Sequence, residues 1–497
     1  MGAGIRGAKI WVGPPRTALA FAALTLWLLA IALVRPLSVD ESQYVAATAL
    51  VADGLLPYRD FAYLQTPLQP VAFAPLQWLF AGHLLLAMRI ANALLGSAII
   101  ILVYGAARRA GASERAALAA AAMLVTCESF AWCAGVARND VLPAALMTLG
   151  LFVIAKGGAR PRMFGAGLAF GLAASTKISY AVPAATVFLA GVWTRDGAER
   201  RRFLSFAAGV AIGLLPAVVL AALAPRAFLA EAIVFPATAP AQYYTEIGKA
   251  WRLGSARFGQ LLVAAAVGPA LIAAIEVARR SWKDRWLVDS VRRVMVAAAF
   301  GGLLSACLNK PFQIFYLLPA LPPLFVLAAL LFGDNNARPR WLKALWALFV
   351  VAGLFPAVGW FVRAANQRLA PALDAERRSE ALAVALREQH VEAPVATLAG
   401  QYVQQVDPRF AAGPFLYRTH GFFSAEQARQ WHIVTGEQAA DLAEAPPAAI
   451  VTGDYPDAQP ELEAELAARA EALGYRQAAN AVGFTIWTRP SPTAQRP

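Results

Sequence analysis

Long apolar segments recur along the first three quarters of this sequence and constrain its fold more than any other feature. Residues 18–34, 84–104 and 294–308 reach or approach the roughly 20 apolar residues that cross the hydrocarbon core of a bilayer. Hydrophobic residues make up 59% and charged residues 15% of the 497 positions, against about 25% charged residues in soluble domains. The pattern predicts a polytopic α-helical membrane protein and excludes a protein with a single membrane anchor.

The basic residues lie in short clusters between the apolar segments. This distribution is typical of cytoplasmic loops, which carry an excess of lysine and arginine. Nucleic-acid binding needs one contiguous basic surface. The formal charge of +13 is instead divided among separate clusters, so we expect no nucleic-acid partner. The clusters are Arg108 and Arg109, Arg160 and Arg162, Arg200, Arg201 and Arg202, Arg279, Arg280, Lys283 and Arg285, and Arg338 and Arg340.

Placing each basic cluster inside gives about eleven transmembrane helices, a cytoplasmic N-terminus and an outer C-terminus. The first apolar segment is longer than the roughly 7–15 residues of a signal-peptide core, so we expect a retained span. The first outer loop covers residues 36–83. Within it, residues 41–52 are predicted to form a short amphipathic helix that stops at Asp53 and Gly54. A break at 175–177 is predicted to leave Lys177 towards the outer side.

The composition changes after Arg363, where charged residues, prolines and glycines return. Short β-rich segments alternate there with helix-like ones, which predicts a small extracytoplasmic α/β domain over 364–497 beside a transmembrane domain over 1–363. We find no nucleophile motif or phosphate loop in it and expect a supporting, acceptor-shaping or assembly role. The predicted strands are 394–398, 449–452 and 484–488, and the predicted helices are 374–389 and 461–473.

Two adjacent carboxylates, Asp40 and Glu41, directly follow the first apolar segment. Ionisable residues at membrane depth are costly and tend to be functional. The structural alternative is that Ser38 or Asp40 caps the helix that follows, and carboxylates also suit the positive end of a helix dipole. Both interpretations place the pair at the outer face.

Other polar residues on the outer side also have two interpretations. Arg138 and Asp140 lie in the turn of a predicted hairpin and form either a functional site or only a polar turn. Lys177 is either functional or a lysine whose amine extends from a span end to the interface. Tyr58 and Tyr316 either bind substrate or belong to the aromatic belt at the interface.

Four groups of residues resemble, in order along the whole chain, the motifs of the GT-C glycosyltransferases. These membrane enzymes include protein O-mannosyltransferases and the aminoarabinose transferases that act on lipid A. Many relatives have a lysine before the Pro-Leu of the first outer loop, whereas this chain has Gln65 and Thr66. The matching residues are Asp40, Glu41, Tyr44, Gly54, Pro57, Tyr58, Pro67 and Leu68, then Arg138, Asn139 and Asp140, then Gly171, Thr176 and Lys177, and finally Lys310, Tyr316, Leu317, Leu318 and Pro319.

The resemblance implies an inverting transferase in a bacterial inner membrane. It would move a sugar from a polyprenyl-phosphate donor to a hydroxyl of a lipid, polysaccharide or protein acceptor at the outer face, with Asp40 as general base assisted by Glu41. No cofactor is certain, although Glu41 and Asp140 together suit Mg or Mn. The remaining implied roles are donor-phosphate binding by Arg138, Lys177, Lys310 and Arg59, a second acidic site at Asp140, and substrate binding by Tyr44, Tyr58, Gln65 and Tyr316.

Two other classes of protein stay open from the sequence. One is a transporter or flippase of lipids or sugar-lipids, and the other is a non-catalytic GT-C-like assembly subunit. Transporters often contain internal repeats and helices broken at the bilayer midplane. The sequence has no convincing repeat, and its polar residues lie at one face, which favours a transferase. An intact Asp40 argues against a non-catalytic subunit.

Overall fold

The computed structural model describes residues 15–490, except 158, 195, 255, 284, 310, 334–338, 420, 438–439 and 457. Lys310, one of the predicted donor-phosphate ligands, therefore lies outside the described residues. Up to Val192 the α-helices are α1 Pro15–Val34, α2 Glu41–Ala52, α3 Leu68–Leu79, α4 Leu84–Arg109, α5 Glu114–Val125, α6 Glu128–Ala134, α7 Val141–Ile154, α8 Arg160–Thr176 and α9 Ala181–Val192.

The second half of the membrane region contains several short or irregular helices as well as long ones. Its α-helices are α10 Gly197–Gly213, α11 Leu215–Leu223, α12 Pro225–Phe228, α13 Phe235–Glu246, α14 Ala256–Ala266, α15 Ala270–Lys283, α16 Ser290–Leu308, α17 Leu321–Gly333 and α18 Arg340–Asn366. A π-helix, Leu229–Val234, precedes α13, and 3-10 helices span Ile178–Tyr180, Ala250–Leu253, Arg285–Val288 and Ile314–Ala320.

Six described helices are long and apolar enough to cross a membrane, or up to eight if each of two bent helix pairs forms one span. One pair, α5 and α6, bends by 70°, and the other, α14 and α15, by 101°. The chain is thus built as a multi-pass membrane protein. The predicted number of about eleven is higher because it also includes shorter apolar segments such as α7, and this finer number stays a prediction.

Helix α2 has the predicted bounds and is followed by Gly54 in the left-handed region, with φ of 89°. Its predicted amphipathic character is wrong, because residues 41–50 are buried on every side. Helix α3 covers one side, and the C-terminal part of the chain covers another. A β-carbon added at Gly400 would lie 2.9 Å from Ala46 Cβ, so the two backbones approach closely.

Helices α8 and α10 also pack through glycines. A β-carbon on Gly167 would lie 1.9 Å from the Phe206 carbonyl oxygen, and one on Gly209 would lie 2.1 Å from that of Phe164. Small residues let transmembrane helices approach in this way. Ser175 Oγ donates a hydrogen bond to the Gly213 carbonyl oxygen at 2.8 Å, which fixes the end of α8. The predicted break at 175–177 is confirmed, and Lys177 lies at that break.

The C-terminal part of the chain contains a four-stranded sheet in the order β1-β2-β4-β3. Strands β1 and β2 are parallel, whereas β4 pairs antiparallel with both β2 and β3. Three strands and two helices coincide with the predicted segments, but β3 was missed because its side chains are mostly exposed and lack apolar alternation. The elements are α19 Pro371–Glu388, β1 Val395–Thr397, α20 Pro414–Tyr417, α21 Ala425–Gln430, α22 Ala440–Glu444, β2 Ala449–Gly453, α23 Pro460–Ala472, β3 Arg476–Ala481 and β4 Phe484–Thr488.

The buried apolar side chains form two main clusters. One lies within the membrane helices, among them α4, α7 and α17. The other joins α2 and the first outer loop to the sheet and helices of the C-terminal part. The C-terminal part therefore packs on the loop that carries Asp40, while its independence as a domain over 364–497 stays a prediction.

Candidate functional site

Asp40 lies at the N-terminal end of α2, on the wall of a cavity of about 400 Å³. Its side chain is 22% exposed, and Oδ2 forms an ion pair with Nη1 of Arg138. No described residue donates a hydrogen bond to Oδ1. Asp40 makes no side-chain hydrogen bond that caps α2, so the capping interpretation is not supported. One oxygen of this cavity-lining carboxylate thus has no hydrogen-bond donor among the described residues.

Arg138 connects two carboxylates. Besides its pair with Asp40, its Nε donates to Oδ2 of Asp140 at 3.0 Å. The guanidinium lies 4.0 Å from the ring centroid of Phe315 and 5.0 Å from that of Trp132, and these two rings stack on each other beside it. Arg138 is buried and its orientation is fixed by both kinds of contact. The hairpin turn is therefore a charged site rather than only a polar turn.

Asp140 lies behind Arg138 and carries the second ion pair of the site. Its Oδ1 contacts Nζ of Lys177, which lies 5.3 Å from the ring centroid of Tyr316. Burial opposes ionisation of Asp140, but Lys177 and Arg138 outweigh it and hold the pKa of the carboxyl below its usual range. Lys177 is buried, so the alternative that its amine reaches the interface is wrong. Asp40, Arg138, Asp140 and Lys177 form a row of alternating charges.

The cavity wall is assembled from segments far apart in sequence. Predicted substrate-binding residues Tyr44, Gln65 and Tyr316 all line it. The wall also includes the end of α13, with Tyr243, and residues after α20, with Arg418. Neither of these last two contributions was predicted, because no motif marks them and only the fold brings them to the cavity.

Comparison with known proteins agrees with this geometry. Residues 69–224 match the sequence profile of the dolichyl-phosphate-mannose-protein mannosyltransferase family. The whole structure is similar to ArnT from Cupriavidus metallidurans bound to undecaprenyl phosphate, with a TM-score of 0.62 and 17% identity over 97% of this chain and 99% of that chain. This chain has the GT-C fold.

The same protein in its apo state matches with a TM-score of 0.59 and 17% identity over 95% of this chain and 97% of that chain. The apo oligosaccharyltransferase from Archaeoglobus fulgidus matches with a TM-score of 0.50 and 12% identity, over 89% of this chain and 70% of that chain. Comparison with curated protein sequences gives no match. The expected GT-C fold is confirmed, while the roles of the four motif groups stay a prediction.

Glu41 does not line the cavity described above. It forms a fully buried ion pair with Arg89 of α4. Nε of Arg89 donates to Oε1 at 2.8 Å and Nη2 donates to Oε2 at 2.6 Å, and both side chains are 0% exposed. The backbone N–H groups of Ala137 and Ser38 also donate to Glu41, at 2.6 and 2.8 Å. Glu41 therefore fixes the segment at Ser38, just before Asp40, and the segment at Ala137, just before Arg138.

Two side chains of helix α4 hold the same region through three further hydrogen bonds. Nη1 of Arg89 donates to the carbonyl oxygen of Arg35 at 2.9 Å, at the end of α1. Asn92 Nδ2 donates to the carbonyl oxygens of Val136 and Arg138, at 2.7 and 2.9 Å. Sequence reasoning did not assign Arg89 or Asn92 to the site. The sequence did contain a signal for Arg89, which is the one charged residue within the apolar segment 84–104. Such a charge is costly unless it has a partner.

The carboxylates proposed for a divalent cation do not fit one. Both oxygens of Glu41 already accept two hydrogen bonds each, from Arg89 and from backbone N–H groups. Each oxygen of Asp140 contacts a cationic side chain. No group of three or more histidine, cysteine, aspartate or glutamate side chains suited to a metal occurs in the described part of the chain. Glu41 and Asp140 therefore serve as partners of cationic side chains.

Two predicted site residues lie away from the cavity wall. Tyr58 is buried, and its hydroxyl donates to the carbonyl oxygen of Gln65 at 2.5 Å. It fixes the loop that presents Gln65 rather than contacting the cavity. Arg59 is half-exposed and pairs with the neighbouring Asp60 at 2.7 Å. Neither residue lines the cavity, so their predicted roles in substrate binding stay predictions.

We expect Arg89→Met to destabilise the protein by about 3–5 kcal/mol, because it leaves the Glu41 carboxylate buried without its cation. Thermal unfolding in detergent measures this effect. The matched control is Arg115→Met, which removes an exposed arginine from α5. Equal unfolding temperatures for the two variants would contradict a structural role of the Glu41–Arg89 pair.

Proposed function

We propose that this chain transfers a sugar from a polyprenyl-phosphate donor to a hydroxyl acceptor. One observation carries the proposal. Asp40 lines the cavity, and its Oδ1 has no hydrogen-bond donor among the described residues, while Oδ2 is held by Arg138. A general base needs one oxygen that substrate can reach and a side chain that is held in place. Asp140 and Glu41 lack such an oxygen.

In the proposed reaction the acceptor hydroxyl donates its proton to Asp40 Oδ1, and the hydroxyl oxygen attacks the anomeric carbon. The bond between that carbon and the phosphate oxygen breaks, and its electron pair leaves with the polyprenyl phosphate. Direct displacement inverts the configuration at the anomeric carbon. A positioned general base contributes about 10²–10⁴-fold to such a reaction.

The charges around Asp40 suit the departure of a phosphate. Lys177 and Arg138 both pair with Asp140, so the negative charge of that buried carboxylate is neutralised by two cations rather than by Arg138 alone. Arg138 itself lines the cavity. A fixed cation near the leaving group stabilises the negative charge that develops there, and it needs no reorganisation during the reaction.

The proposed reaction takes place at the outer face of a bacterial inner membrane. The distribution of basic clusters supports this location, with the N-terminus in the cytoplasm and residues 364–497 in the periplasm. The sugar donor is a polyprenyl-phosphate lipid, and the acceptor is an envelope lipid, polysaccharide or protein.

Alkaline phosphatase fusions test this orientation, because the phosphatase is active only after export from the cytoplasm. We expect an active fusion after Pro497 and an inactive one after Arg109, which follows an even number of predicted crossings. Fluorescent-protein fusions at the same two positions are the complementary control and should give the opposite pattern. An active phosphatase after Arg109 would show that the first outer loop is cytoplasmic.

We expect Asp40→Asn to lower sugar transfer at least about a hundredfold, because the amide cannot accept the hydroxyl proton. The measurement uses purified protein, a radiolabelled membrane lipid-sugar pool and extracted envelope acceptors. Asp53→Asn is the matched control, since it alters an exposed carboxylate at the other end of α2.

Thermal unfolding should be similar for wild type, Asp40→Asn and Asp53→Asn. Equal transfer by wild type and Asp40→Asn would remove Asp40 from the reaction. Absence of transfer by wild type from every donor in the pool would instead refute the proposed activity.

A further inference from the structure

Arg418 is a cation of the C-terminal part that lies on the wall of the cavity containing Asp40. It follows α20, and its guanidinium lies 4.1 Å from the ring centroid of Tyr243 and 5.0 Å from that of Phe415. Both rings lie beside a planar group that carries five N–H donors. The C-terminal part thus contributes to the cavity wall an arginine whose guanidinium is held beside two aromatic rings.

The two cationic side chains on the described cavity wall differ in their partners. Arg138 pairs with Asp40 and Asp140. Arg418 has no carboxylate partner among the residues that the structure describes. Burial lowers the pKa of Arg418 from its usual value, and the neighbouring Tyr243 and Tyr244 only partly oppose this shift.

The backbone before Arg418 is fixed against the helix that carries the site. Gly413 has a φ of 52°, and a β-carbon added there would lie 3.0 Å from Ser42 Oγ on α2. The N–H of Gly436 donates to the carbonyl oxygen of Tyr417 at 2.7 Å, which holds the chain immediately before Arg418. Asp40 and Arg418 are therefore carried by two segments in direct contact.

We propose that Arg418 binds a phosphate group of a substrate in this cavity. The proposal rests on the proposed function, which requires an anionic lipid there. A guanidinium binds phosphate through two parallel charge-assisted hydrogen bonds, and such bonds are stronger than those between neutral groups.

Of the described cations proposed from sequence, Arg138 lines the cavity and is shared between two carboxylates, whereas Arg59 and Lys177 do not line it. A second cation on the wall would therefore add to Arg138. The first outer loop contributes Gln65 but no cation to the cavity wall. Arg418 supplies a positive charge to that wall from the C-terminal part.

The phosphate has two possible sources, the polyprenyl phosphate of the donor and a phosphate on an acceptor glycolipid. The experiment measures binding of undecaprenyl phosphate and, separately, of lipid A to the full-length protein in detergent. Wild type is compared with Arg418→Gln, Arg418→Lys and the control Arg476→Gln, which removes an exposed arginine of β3. Undecaprenol, which lacks the phosphate, is the control ligand.

We expect Arg418→Gln to weaken binding of one phosphate lipid at least about tenfold, with unchanged binding of undecaprenol and an unchanged unfolding temperature. Arg418→Lys should recover part of the affinity, because lysine keeps the charge but loses the paired donors. The lipid whose binding is weakened identifies the source of the phosphate. Arg476→Gln should bind both lipids as wild type does.

Equal affinity of wild type and Arg418→Gln for both phosphate lipids would overturn the role of Arg418. That result leaves the proposed function intact if Asp40→Asn still abolishes sugar transfer. A loss of undecaprenol binding equal to the loss of undecaprenyl phosphate binding would also overturn it, because Arg418 would then shape the cavity rather than bind phosphate.

Discussion

The buried ion pair between Glu41 and Arg89 is the interaction on which the site depends. Removing two charges from water is costly, and the attraction between them repays that cost only when the other polar groups are also satisfied. Here Arg89 reaches the carbonyl oxygen of Arg35, and Glu41 accepts the N–H of Ala137. One ion pair therefore joins the end of α1, the start of α2, α4 and the loop before Arg138. The same arrangement fixes the position of Asp40, because Asp40 immediately precedes Glu41 in the chain.

The rest of the site is composite. The first outer loop supplies the exposed carboxylate oxygen, and the turn before α7 supplies the arginine that holds the other oxygen. The break after α8 supplies Lys177, which contacts Asp140. The C-terminal part closes the cavity and adds Arg418. Because these segments meet only in the folded protein, the packing of the C-terminal part on α2 is as important to the cavity as the membrane helices are.

Local signals in the sequence predicted local structure well. Asp53 and Gly54 marked the end of α2, and the break at Lys177 followed from the flanking basic residues. The sequence also placed Asp40, Asp140 and Lys177 on the outer side, although it did not show that Arg138 joins the two carboxylates. Properties set by tertiary contacts escaped prediction. Helix α2 is buried because the C-terminal part covers it, and Tyr58 is a loop contact because Gln65 lies beside it in space.

The proposed role of Asp40 as a base, rather than as a nucleophile, is tested most directly by the stereochemistry of transfer. The anomeric configuration of the sugar is determined by nuclear magnetic resonance in a purified polyprenyl-phosphate donor and in the product formed by the wild-type protein. We predict inversion in every product molecule, because the acceptor oxygen displaces the lipid phosphate in one step. Retention of configuration would contradict this mechanism, since it requires a second displacement through a covalent or otherwise shielded intermediate.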